Sequence, residues 1–223
     1  MRGLLFTGGK QPDMAIAHTL FNPYSFVVAA DSGLCGAEKA GIVPDSIVGD
    51  MDSIPDASIL DKYPSEKIQF WPRDKDLTDT EIALNLMKKK NIDEIILVGG
   101  SGGRLDHFFA LKDLFGDENP PLMWITEESI ALSVEKGQGR PAGSGITISG
   151  LGSDDPVSVF PAGSSPHVCR GQGFHWAIDS LDWDKGRSSL SNRSDNGIIS
   201  FEAFSGRFLL VVPLMAGLQI ERF

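Results

Sequence analysis

Aspartates recur in this chain in groupings that suit a hard cation and bound phosphate. They stand at Asp31, at Asp50 and Asp52 in the run Val-Gly-Asp-Met-Asp-Ser, at Asp74, Asp76 and Asp79, and at Asp106. Carboxylates brought close together repel one another unless cations neutralise them, so a convergence of these segments argues for a metal. The chain has no Cys-x-x-Cys and no paired histidines, which leaves oxygen donors, and these select Mg²⁺ where phosphates complete the coordination shell. Asp50 and Asp52 point to opposite sides of an extended loop unless a turn brings both inward, a latitude that Gly49 supplies. The alternative for this pair is an Asx turn with a helix cap at Asp52 or Ser53. The companion acids favour the metal.

These segments converge only if the elements before them lie side by side. Short apolar runs occupy residues 3–6, 25–30, 46–48, 67–70, 94–98 and 122–126, and helical patterns occupy 14–20, 33–40, 57–62, 78–90 and 104–115. The runs have the length and the Val, Ile, Leu and Phe content of buried parallel strands. Thr78 and Glu81 form a capping box, and three lysines close the same helix where its dipole favours cations. The alternation predicts an α/β fold with a doubly wound, mostly parallel sheet. Ligands bind such sheets beyond the carboxyl ends of the strands. Asp31 follows the second run, Asp50 and Asp52 the third, Asp74, Asp76 and Asp79 the fourth, and Asp106 the glycine loop after the fifth.

That loop, Gly99-Gly100-Ser101-Gly102-Gly103-Arg104, runs from a strand into a helix. Its backbone amides and the helix N-terminus suit phosphate oxygens, and Arg104 adds a bidentate cation. No Gly-Lys-Ser/Thr follows, so it is not a P-loop. A second glycine turn, Thr7-Gly8-Gly9-Lys10, ends the first strand and is either a nucleotide contact or a plain turn. His107 reads as a structural neighbour of Asp106, and His18, His167 and His175 are scattered. Trp71, Trp124, Trp176 and Trp183 read as core or interface aromatics, although one in the C-terminal half can stack on a flat cationic ring.

Past residue 126 helical periodicity ends and Gly, Ser and Pro become dense. Brief strands are expected at 130–134, 145–148, 157–160, 174–177, 197–201 and 207–212, with turn signals between them. The expected division is a 1–126 α/β domain carrying nucleotide, metal and catalysis, and a 127–223 antiparallel β-sandwich. The net charge of −10 lacks the basic footprint of a nucleic-acid surface. No apolar run approaches the roughly 20 residues of a membrane span. Two isolated thiols, Cys35 and Cys169, fit a reducing compartment, and the N-terminal apolar run is too short for a signal peptide, so a cytoplasmic protein is expected.

The motifs Asp31-Ser32-Gly33, Gly49-Asp50-Met51-Asp52-Ser53, Asp76-Leu77-Thr78-Asp79 and Gly103-Arg104-Leu105-Asp106-His107 resemble, in order and spacing, those of the thiamin pyrophosphokinase family. Ser189-Leu190-Ser191-Asn192 resembles its substrate-side motif. The chain departs from the family at Ser32, commonly Gly, and at Leu111, often Asn. The resemblance implies transfer of the diphosphate of ATP to the hydroxyl of thiamin, giving thiamin diphosphate and AMP. It implies a homodimer with active sites at the interface, and thiamin bound by the β-sandwich. Asp31, Asp50, Asp52 and Asp79 would be the metal-bearing and catalytic acids, joined in catalysis by Arg104 and Asp106. Gly102, Gly103, Arg104, Asp76 and Thr78 would bind nucleotide; Lys75, Ser189, Ser191 and Asn192 would bind thiamin. The competing readings are a pyrophosphokinase for another alcohol such as a hydroxymethylpterin, a non-catalytic nucleotide or thiamin sensor, and a nucleotide hydrolase.

Overall fold

The structure, a computed structural model, describes residues 1–136, 144–164 and 166–223. It divides into two compact units, one of Met1–Leu114 with Met123–Glu127, the other of Phe115–Leu122 with Glu128–Phe223.

The first unit is an α/β fold. Its strands are β1 (Arg2–Phe6), β2 (Phe26–Ala30), β3 (Ser46–Gly49), β4 (Ile68–Phe70), β5 (Glu94–Val98) and β6 (Met123–Ile125). All five pairings are parallel, in the order β6-β5-β1-β2-β3-β4. The order reverses at β1, which is the doubly wound topology. Four consecutive buried residues in each of β1, β2, β3 and β5 account for the unbroken apolar runs. The helices are α1 (Met14–Phe21), α2 (Gly33–Lys39), α3 (Asp79–Lys89) and α4 (Leu105–Asp113). In α3 the Thr78–Glu81 capping box forms, and Thr80, Ala83, Leu84 and Met87 make a buried stripe at i, i+3, i+4 and i+7 packed over β1, β2 and β3. Residues 57–62 are 3₁₀ rather than α. Only six residues separate the Asp56 cap from the Tyr63-Pro64 step, too few to establish an α-helix.

The second unit holds two four-stranded antiparallel sheets. One runs β11-β9-β13-β7, from β7 (Ser129–Glu135), β9 (Val157–Ala162), β11 (Ser189–Asn192) and β13 (Arg207–Pro213); the other runs β10-β12-β8-β14, from β8 (Gly145–Ser149), β10 (Val168–Gln172), β12 (Ile198–Ser205) and β14 (Gln219–Arg222). Phe201 of β12 meets Phe208 of β13 at 5.1 Å, edge to face, so the sheets share a sandwich core. Residues 115–122, expected with the first unit, pack with the second. Arg207 holds them by donating from Nη1 to the carbonyls of Phe115 and Asp117, both at 2.6 Å.

Three strands of this unit, β10, β11 and β14, lack the apolar alternation that marks a strand in sequence. The strand expected at 174–177 does not form. That segment makes a single bridge, Phe174 to Ser194, and is otherwise tied by a side-chain amide.

Candidate active site

Asp31, Asp50 and Asp79 each offer a carboxylate oxygen within 4.8 Å of the others, the one such acid group among the described residues. Each stands where the parallel sheet delivers it: Asp31 one residue past β2, Asp50 one past β3, Asp79 at the first turn of α3. The backbone bends to achieve this. Gly49 has φ +146°, and a Cβ there would press within 3.4 Å of the Asp31 backbone. Asp31 (φ 49°) and Met51 (φ 65°) take left-handed conformations that only a determined surrounding holds in place. At Met51 the cause is plain: its side chain turns into a buried cluster with Ala29, Leu34, Ile47 and Ile54, which leaves Asp50 and Asp52 to diverge.

The Asx turn foreseen for this pair is present, with Asp50 Oδ1 accepting from the Asp52 amide at 3.1 Å. It coexists with the acid cluster. Asp52 lies outside that cluster and faces Arg73 Nε at 3.4 Å. Two further residues join the acids. Ser53 donates its hydroxyl to Asp31 Oδ2, and Lys75 is largely buried with Nζ 3.2 Å from Asp79 Oδ1 and 3.8 Å from Asp50 Oδ2. Lys75, expected to bind thiamin, has its ammonium among the acids. The signal was available: Lys75 precedes Asp79 by four residues and follows Asp74 directly.

One ammonium among three carboxylates leaves the group strongly negative. Burial pushes the Asp31 carboxyl above the usual range; the Ser53 hydroxyl opposes this, and the charges of Asp79, Asp50 and Asp52 add to it. Burial also raises Asp79, with Lys75 pulling against it and Asp50 and Asp52 reinforcing it. Asp31 Oδ1 is buried without a hydrogen-bond partner, and Asp79 Oδ1 has the Lys75 ammonium near but not in hydrogen-bonding geometry. A buried carboxylate oxygen with no donor is costly unless a cation completes it. The all-oxygen donor set fits a hard divalent ion.

The two glycine turns are stitched together at the reversal point of the sheet. Gly100 donates to the Gly8 carbonyl at 2.8 Å, Lys10 to Ser101 at 2.7 Å and Gly99 to Ile125 at 2.9 Å. Those amides are committed, and Gly102 and Gly103 lie beyond the stitching. Arg104 and Asp106 are exposed and grip each other, Nε to Oδ1 at 3.1 Å and Nη2 to Oδ2. The contact pulls the Asp106 carboxyl below its ordinary range. Thr78 spends its hydroxyl on the Glu81 amide, as the cap requires. Asp76 is exposed.

In the second unit Asn192 is fully buried. Its Oδ1 accepts from the amides of Trp176 and Arg193, and its Nδ2 donates to the Trp176 carbonyl and to Ser189 Oγ. Ser191 has φ 50°, where β11 slips its register against β9. That bulge turns Asn192 inward.

Comparison with known proteins bears on both units. Residues 17–116 match the family model described as thiamin pyrophosphokinase, catalytic domain. A thiamine pyrophosphokinase of Bacillus subtilis is 34% identical over 95 residues, 42% of this chain and 41% of that protein's length. The crystal structure of thiamine pyrophosphokinase from Bacillus subtilis superposes with a TM-score of 0.71 at 20% identity, covering 96% of this chain and all of the other. A thiamin pyrophosphokinase family protein from Enterococcus faecalis gives 0.72 at 18% identity, over 96% and 99%. A thiamin pyrophosphokinase from Candida albicans gives 0.64 at 17%, over 96% and 90%. The likeness in fold thus spans both units, and the likeness in sequence is concentrated in the first.

Proposed function

Because residues 17–116 match the family model of the thiamin pyrophosphokinase catalytic domain, we propose that this chain transfers the diphosphate of ATP to the hydroxyl of thiamin, releasing AMP. The observation that carries this reading is the Asp31, Asp50 and Asp79 cluster, three converging carboxylates with a buried oxygen that lacks a donor. A divalent ion, Mg²⁺ by the oxygen chemistry of the donors, would be held by those three acids, with Asp52 as a further acid beside them. Bound there, it would supply charge neutralisation and alignment of the phosphates.

The rest is the work of the chain. The hydroxyl oxygen of thiamin attacks the β-phosphorus of ATP, the bond to AMP breaks, and the hydroxyl proton passes to a carboxylate of the site, Asp31 or Asp106. Lys75, already among the acids, has its ammonium available to phosphate oxygens once a cation relieves Asp79 and Asp50. Arg104 can exchange the Asp106 carboxylate for phosphate, since an exposed ion pair is weakly held. In this reading Gly102 and Gly103 meet the nucleotide with Asp76 and the Thr78 segment. Ser189, Ser191 and Asn192 frame the thiamin side, beside the exposed ring of Trp176.

A homodimer is part of the same reading. The exposed Leu105, Phe108 and Phe109, at i, i+3 and i+4 of α4, give it an apolar face to use. Sedimentation velocity tests that assembly. A cytoplasmic location is supported by the isolated thiols and by the lack, among the described residues, of any helix long and apolar enough to cross a membrane. The deciding experiment is AMP release from ATP and Mg²⁺ with and without thiamin. Thiamin-dependent AMP is expected. AMP formed equally without thiamin makes the protein a nucleotide hydrolase, and no AMP in either case makes it a sensor; a hydroxymethylpterin in place of thiamin tests the acceptor.

A further inference from the structure

Four tryptophans occur in the chain, two of them in the second unit. Trp183 is 3% exposed and belongs to the core, whereas Trp176 is 53% exposed. One face of Trp176 already carries a cation. The guanidinium carbon of Arg193 lies 4.9 Å from its ring centroid. Arg193 Nη2 also lies 3.0 Å from His175 Nε2, and His175 Nδ1 lies 2.7 Å from Asp195 Oδ1. The guanidinium can only donate, so Nε2 accepts, and Nδ1 carries the proton and donates to Asp195. His175 in turn meets the Trp176 ring edge to face at 4.7 Å.

The backbone fixes this arrangement. The Asn192 amide clamps Trp176 at both its N–H and its carbonyl, and the His175 amide donates to the Arg193 carbonyl at 2.9 Å. The two side chains therefore emerge on adjoining strands of chain, one over the other. An aromatic face is the natural seat of a flat cation, and here the protein seats one of its own.

We infer that Arg193 is a self-supplied occupant of the Trp176 face, held by His175 and Asp195, which a cationic ring must displace in order to bind. This rests on the reading that thiamin, a flat cation, is the substrate on this side of the protein. A neutral ring gains less from the Trp176 face than the guanidinium it evicts, so the contact sets selectivity for cationic rings as well as the threshold for binding them.

The test measures binding of thiamin and of N-methylpyridinium, a minimal flat cation, by titration calorimetry to the whole chain. The proteins are the unchanged chain, Arg193→Gln, Trp176→Leu and the double variant, each first matched by thermal melting. Loss of an exposed cation–π competitor is expected to tighten both ligands by about 2- to 5-fold in Arg193→Gln, with the KM for thiamin falling in step. In the Trp176→Leu background the same change is expected to have no effect. Unchanged or weaker binding in Arg193→Gln overturns the proposal, and so does an equal gain without Trp176. The two readings separate cleanly. A gain with N-methylpyridinium, alongside thiamin that neither binds nor yields AMP, retains the occupant and removes thiamin. Thiamin-dependent AMP release with no gain for either ligand does the reverse.

Discussion

In the first unit three carboxylates face one another with a single ammonium among them, and one buried oxygen has no donor. In the second, Arg193 lies over the Trp176 ring and against His175, and His175 in turn meets Asp195. Both clusters rest on left-handed residues next to a strand end, Asp31 and Met51 in one and Ser191 in the other. The acid cluster is built so that something outside the protein must complete it, whereas the ring cluster is completed by the chain and must be opened. A site that needs a cation and a site that must lose one are different demands on the same fold.

The sharpest way to break this contrast is to take a ligand atom from the acid cluster. Asp50→Asn keeps the size of the side chain and the Asx turn, and removes the charge. Turnover, by AMP release, is expected to fall at least about 100-fold while circular dichroism stays unchanged. Asp52→Asn, facing Arg73 outside the group, is expected to lose less. An equal loss would bring Asp52 into the group. In the second unit the corresponding cut is Asn192→Ala, which strands the Trp176 N–H and carbonyl in a partly buried site. It is expected to cost about 2 kcal/mol in a urea titration, a loss of structure rather than of charge.

Completion by a cation is measurable as stability. The raised carboxyls of Asp31 and Asp79 mean that the folded protein binds more protons than the unfolded chain between the two pKa values. Metal-free stability from this group therefore falls as pH rises above about 4, the unfolded aspartate value. Mg²⁺ at ten times its dissociation constant is expected to restore about 1.4 kcal/mol at pH 8, and clearly less at pH 5 where protons compete. Melting curves with Mg²⁺ and with chelator check this. An equal shift at both pH values would mean that the ion binds elsewhere.

What the sequence disclosed follows the same division. Parallel strands buried on both faces announce themselves as unbroken apolar runs, so β1, β2, β3 and β5 and the acids at their ends were legible from residue types alone. The second unit was less so. β10 and β11 are short and half exposed, and the segment at 174–177 has the composition of a strand. There the Asn192 amide takes the place of a backbone ladder, a substitution that periodicity cannot register. Lys75 was readable as a partner of Asp79 four residues on, but not of Asp50, because that proximity spans β4 and the loop after it. The Arg193 contact depends on the Ser191 bulge, which no spacing rule predicts at a serine.

The smallest effect asked of the comparison is also the one that distinguishes a functional acid from a structural one. Asp31→Asn leaves an oxygen to accept the Ser53 hydroxyl, and asparagine tolerates the left-handed backbone at φ 49° as readily as aspartate. What it removes is a half-buried charge facing Asp79, Asp50 and Asp52. If the cluster is held together for a cation, the metal-free variant should be more stable than the unchanged chain by about 0.5–1 kcal/mol at pH 8, the usual scale of relieving strain at a functional site. The gain should shrink as pH falls, because burial raises the Asp31 carboxyl of the unchanged chain and it takes up its proton before a free aspartate would. Mg²⁺ should no longer raise the melting temperature, and AMP release should be lost. A variant destabilised at pH 8 without metal would instead make Asp31 a structural acid whose charge the fold needs. The acid cluster would then be as self-completed as the ring cluster, and the contrast between the two units would fail.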